Sequence, residues 1–312
     1  RGPANPDLKW ETTTQYNAGI DMGFFENRVN FTVDVYYKKT SDLLQNIQIP
    51  QSTGFSNMTT NFGDVINKGL EITGKFYPIS GKKFKWDFDA NISFNRNKIE
   101  GLPGDQFAQS WSDADAVFIQ RNGMPIGTIF GYVEDGFYDN IAEVRADPFY
   151  ANESEAVCKS MIGEVKYKDL DGNGIINAGK STLDDPGDRT IIGNNQLRLQ
   201  YGVNGSINWK GIGFSFMLQG VGKTDKYLSH DLAFPYYYEF GTIYKHQLDY
   251  WTPQNTNCEF PRLYQTGTRN SNYSANIRTQ TKYLTNGAYM RVKNLTLAYT
   301  FSNELIKHFG IS

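Results

Sequence analysis

The sequence predicts an all-β chain: an arc of a large antiparallel transmembrane β-barrel with long external loops. Three observations predict it. The runs Arg28 to Leu44 and Phe84 to Ile99 alternate apolar and polar residues well beyond the roughly five or six residues of an ordinary strand. The connections between such runs are alternately short and long, which gathers the long ones at one rim, as in outer-membrane proteins with short periplasmic turns. The 312 residues include 30 glycines, 20 tyrosines and 21 phenylalanines, a composition that suits turns, a greasy outer surface and aromatic girdles. No stretch of about 18 apolar residues occurs, so a spanning helix is excluded.

In chain order, Thr12 to Phe25 reads as the first strand, with Tyr16, Ala18, Ile20 and Met22 on its apolar face. A turn near Glu26–Asn27 leads to the second, Arg28 to Leu44. There Val29, Phe31, Val33, Val35 and Tyr37 alternate with Asn30, Thr32, Asp34, Tyr36 and Lys38. The linker is too short for a crossover, so the two form a hairpin. Gln45 to Gly63 is a polar excursion. Gly69 to Ile79 starts a third strand, Ser80 to Lys83 turns, and Phe84 to Ile99 returns. Residues 101–195 lose the period and read as a long external region containing short strands at Thr128–Tyr132 and Glu164–Lys168. Alternation resumes from Leu197 to Trp209, turns at Lys210–Gly211 and continues through Ile212–Leu218. A second external region spans 221–282. The last strand, Tyr289 to Phe301, changes phase midway, which predicts a bulge near Lys293–Asn294. Phe31, Val33, Phe88 and Phe214 are expected to face lipid. The pattern leaves one alternative open, a secreted β-sandwich serving as a carbohydrate-binding or adhesin module.

Formal net charge is -2 and no basic block occurs, so nucleic acid is not an expected partner. His230, His246 and His308 lack metal-ligand spacing. Cys158 and Cys258 either pair in an oxidising compartment or stay free. No nucleophile–base–acid set and no phosphate loop is found, so an enzyme is not expected.

Asp169, Asp171 and Asn173, followed by Gly174, match the start of an oxygen-rich calcium loop. Lys180 stands where such a loop has glutamate, and Asp184, Asp185 or Asp188 could return a carboxylate to the site. Two readings stand: a bound Ca²⁺ in an external loop, with Asp169, Asp171, Asn173 and Asp188 as ligands, or a turn in which the same side chains cap backbone amides. Trp111, Phe137, Tyr138, Tyr236, Tyr237 and Tyr238 are loop aromatics of the kind that would contact a sugar or peptide cargo.

Several stretches, in order, carry a family resemblance. They are Asn5 to Thr13, Phe24 to Leu44, Asn61 to Ile72, Gly123 to Tyr138, Gly163 to Asn177, Asp188 to Asn194, Tyr201 to Gly220 and Tyr289 to Phe301. Together they resemble the C-terminal barrel portion of SusC/RagA-type TonB-dependent transporters of Bacteroidetes outer membranes. The resemblance implies a barrel of about 22 strands, of which residues 1–312 are a part, with both ends expected to be cuts through a longer protein. It implies a plug and a TonB-coupling segment outside this stretch, and a SusD-like surface lipoprotein as partner. It implies import of large nutrients such as oligosaccharides or peptides, in contact with outer-membrane lipid.

Overall fold

The computed structural model describes residues 3–48, 51–61, 63–81, 83–102, 106–108, 116–180, 184–236, 241–263 and 276–301. Seven long strands form the main sheet: β1 (Thr12–Phe24), β2 (Val29–Ser41), β3 (Asp64–Ser80), β4 (Phe84–Glu100), β5 (Leu199–Trp209), β6 (Ile212–Val221) and β7 (Tyr289–Tyr299). Each pairs antiparallel with the next in chain order, a plain meander.

Register follows from side-chain alternation. Ile20, Val33, Ile72, Ile92 and Tyr201 lie directly opposite one another across five strands, so the apolar rows of separate strands merge into one face. Rings reinforce it: Phe76 stacks on Phe88 at 4.4 Å and meets Phe31 edge-on at 5.4 Å. The other face is tied by polar cross-strand pairs, Thr32 to Asp21, Asn204 to Asp89 and Ser206 to Asp87.

The short turns are as expected. Phe25, Glu26 and Asn27 all have positive φ between β1 and β2. Lys210 and Gly211, at φ 50° and 92°, make the two-residue turn whose twist matches the flanking strands. The bulge at the end of the sheet is also present. Met217 pairs Asn294 and Leu218 pairs Val292, leaving Lys293 as the extra residue.

The expectation that the chain is an arc of a large transmembrane barrel, the C-terminal portion of one, is overturned: the strands form several separate open sheets and no closed barrel. Closure requires the first and last strands to pair; here β1 and β7 are the two open edges of the main sheet. The remaining strands build one four-stranded and three two-stranded sheets, all separate and open. Alternation reports that a strand has two unlike faces; it carries no information on whether a sheet closes. The chain is all-β apart from short helices. No helix among the described residues is long and apolar enough to cross a membrane, which has no bearing on strands. Phe31, Val33, Phe88 and Phe214 lie on the apolar face outside any buried core, and no second sheet of the described residues covers it, which leaves the sandwich alternative unsupported.

The connections that leave the other rim carry the buried core. Residues 101–198 contain a four-stranded sheet ordered Arg189–Asn194, Thr128–Tyr132, Phe118–Gln120, Gln106–Ala108. They also hold a pair formed by Glu134–Phe137 and Val165–Tyr167, so both short strands expected there exist. Two helices, α1 (Ile141–Ala146) and α2 (Glu155–Met161), were not foreseen. Each is capped by the side chain before it, Asn140 accepting from the Glu143 amide and Ser154 from the Val157 amide.

Candidate functional site

The Asp169–Asp188 loop is folded by its own carboxylates. Asp169 accepts from the Gly172 amide at 2.7 Å and the Gly174 amide at 2.8 Å, and these bonds, the Gly174 one first, hold its carboxyl below the usual carboxylate range. Gly172 and Gly174 have φ of 74° and 78°, a backbone that turns the amides inward and that glycine adopts without strain. Asp171 accepts from the Asn173 amide, and Asn173 from the Ile175 amide. Asp188 returns from 14 residues beyond Gly174. It is fully buried and accepts from the Leu170 amide at 2.8 Å and the Asn177 amide at 2.7 Å, closing the loop.

Ligand oxygens of Asp169, Asp171 and Asp188 lie within 4.8 Å of one another, so the cluster can hold a divalent cation. The donors are all oxygens, which suits a hard ion. A carboxylate has about four acceptor positions; the amide bonds to Asp169 and Asp188 use two on each, leaving the rest for a metal. Lys180 pairs with Asp185, its Nζ 3.5 Å from the carboxylate. Asp188 thus supplies the returning carboxylate.

Of the expected cargo residues, Phe137, Tyr138 and Tyr236 are described, and they do not form one site. Phe137 packs in a cluster with Tyr132, Val165, Tyr167 and Trp251, and the Lys282 ammonium sits 4.4 Å from its ring centroid. Tyr138 packs with Val144, Cys158 and Met161 and donates its hydroxyl to Asp147; burial, with that bond, pushes it well above the normal tyrosine range. Tyr236 is half-buried with φ 57°. Trp111, Tyr237 and Tyr238 lie outside the described residues. Cys158 and Cys258 are both free, in different clusters, and burial pushes the Cys258 thiol up to about 11.

One buried site was missed from sequence. Glu164 is fully buried, with Arg262 Nη2 at 2.9 Å on one oxygen and Asn276 Nδ2 donating to the other. It ties the first long connection to the second. Burial pushes its carboxyl up to about 7 even though Arg262 acts in the opposite sense. No local motif marks it, because its partners lie 98 and 112 residues away.

A family model described as TonB dependent receptor-like, beta-barrel matches residues 1–184, more than half of the chain. The chain belongs to this TonB-dependent receptor family. TonB-dependent receptor P3 of Formosa agariphila is 30% identical over 99% of this chain and 29% of its own length. TonB-dependent receptor SusC of Bacteroides thetaiotaomicron is 28% identical over 96% of this chain and 27% of its own. The chain therefore spans about three-tenths of the curated relatives it matches. A structure of the RagAB peptide transporter superposes with a TM-score of 0.69 at 22% identity, covering 98% of this chain and 30% of that one, which shows a shared fold.

Proposed function

We propose that this chain serves an outer-membrane importer of large nutrients, oligosaccharides or peptides, in a Gram-negative bacterium. In this reading it works with a SusD-like surface lipoprotein and is energised through TonB by segments outside this stretch. The observation that carries the reading is the family match together with relatives aligned along 96–99% of the chain. The uncovered apolar face of the main sheet supports an outer-membrane setting, since a patch of that extent in water invites association. The cation of the Asp169–Asp188 loop is read as Ca²⁺, held by Asp169, Asp171, Asn173 and Asp188, where it would stiffen the loop and carry no chemistry. Aromatic contact with cargo falls to Trp111, Tyr236, Tyr237 and Tyr238, whereas Phe137 and Tyr138 are committed to packing.

The test is uptake of labelled oligosaccharides and oligopeptides by intact cells with and without the gene, before and after collapse of the proton-motive force. Saturable uptake of one class, lost on deletion and on collapse, is expected. Uptake of both classes unchanged by deletion would contradict the reading.

A further inference from the structure

Where the first long connection rejoins the main sheet, a groove of about 520 Å³ opens. One wall is the strand Arg189–Asn194, an edge of its four-stranded sheet, which turns Ile191 to Asn194 toward the groove. The opposite wall is the entry to β5 and the exit from β6. The β5–β6 pairing continues past its last strand residues, because the Gly222 amide donates to the Leu199 carbonyl at 2.8 Å. That register sets Arg198 opposite Lys223. Both are exposed and line the groove, and among the described residues neither has an ion-pair partner. Asp225 also lines it, but its carboxylate accepts the Asn194 amide at 2.8 Å and is held against the strand end.

Three properties narrow the occupant. The two facing cations call for an anionic group, and guanidinium and ammonium together suit a carboxylate. The apolar lining is aliphatic, with Met124, Ile191 and Leu199 and no aromatic ring among the lining residues, so a sugar has no ring face to stack on. An edge strand offers main-chain donors and acceptors to an extended peptide, the mode of strand addition. Ile192 is the extra residue of a bulge in that strand, which bends the edge locally and guards it against indiscriminate pairing.

We propose that this groove binds an extended oligopeptide bearing a carboxylate. The peptide backbone follows Ile191 to Gly193, short of the Asn194 amide that Asp225 already occupies, an aliphatic side chain rests on Ile191 and Leu199, and the carboxylate lies between Arg198 and Lys223. The proposal rests on the import reading for the source of the peptide.

The experiment uses the whole protein in detergent and three probes: a labelled peptide of aliphatic residues with two glutamates, its glutamine counterpart, and oligogalacturonate as a carboxylated sugar. The glutamate peptide should bind about tenfold more tightly than the glutamine peptide, with the gap shrinking as salt rises. The gap should vanish in Arg198→Gln with Lys223→Gln and return in Arg198→Lys with Lys223→Arg, which keeps both charges and controls for folding. Equal affinity for the two peptides, a gap that survives loss of both cations, or oligogalacturonate bound more tightly than either peptide would overturn the proposal. The import reading fails separately, if deleting the gene leaves uptake of every nutrient class unchanged while the purified protein still discriminates the peptides by charge.

Discussion

β1 and β7 are exposed along their whole length, whereas Ile119, Ile129 and Val144 in the first long connection are shut away from water. Among the described residues, the buried apolar side chains on the seven long strands are Val65, Ile66, Ile99 and Val221, all at strand ends next to a long connection. The regular part of the molecule therefore has almost no core, and the part that looks irregular holds nearly all of it. The main sheet is kept by its ladder and by cross-strand pairs, with an apolar face that depends on its surroundings. The connections exclude water by themselves, so they can hold side chains in fixed places, as the Asp169–Asp188 loop and the Glu164 tie do.

If that contrast is right, truncation inside the connection should cost far more than truncation on the sheet. Phe130→Ala should lower the stability of the connection by about 3–5 kcal/mol, the cost of an emptied core site. Ile20→Ala, at a residue 64% exposed, should stay within about 0.5 kcal/mol. Opening free energies from amide exchange of the whole protein in detergent would show both.

Glu164→Ala comes next, at about 3 kcal/mol, because Arg262 and Asn276 lose a buried acceptor. The same group gives a pH signature. Its carboxyl is raised from 4.5 to about 7 in the folded protein, so its contribution is fully present below about pH 4.5 and is lost as pH rises through 7. Connection amides should therefore open more readily between pH 5 and about 7, Glu164→Gln should flatten the trend, and amides of β2 to β4 should not follow it.

Asp188→Ala should cost about 2 kcal/mol locally, since two amides lose a buried acceptor. It should also abolish any rise in melting temperature on adding millimolar Ca²⁺. Asp171→Asn should remove the Ca²⁺ response alone. A smaller effect, about 1 kcal/mol confined to α1, is expected for Asn140→Ala, which deletes a helix cap; exchange of the Glu143 amide, which loses its side-chain acceptor, would report it.

The contrast also explains what could be read from sequence. Strand positions, facing rows, the Lys210–Gly211 turn and the Lys293 bulge were legible because a period of two is local and every residue votes on it. Asp169, Asp171 and Asn173 were legible because their spacing is local too. Asp188 was one of three candidates, and only the return of the chain singles it out. Phe137 and Tyr138 read as loop aromatics because a sequence without a period gives no sign that it folds around its own core. α1 and α2 are too short to show a helical period, and their caps at Asn140 and Ser154 are evident only once the helices are seen. Closure was misjudged because it depends on which edges meet, and no alternation within a strand encodes that.

The most direct test is amide exchange of the whole protein, followed by mass spectrometry, in detergent and again after the detergent is diluted away. Peptides covering residues 116–132 and 164–167 should stay protected in both conditions, while peptides from β1, β2 and β7 lose protection on dilution. Equal loss across both regions, or strands that outlast the connection, would contradict that contrast.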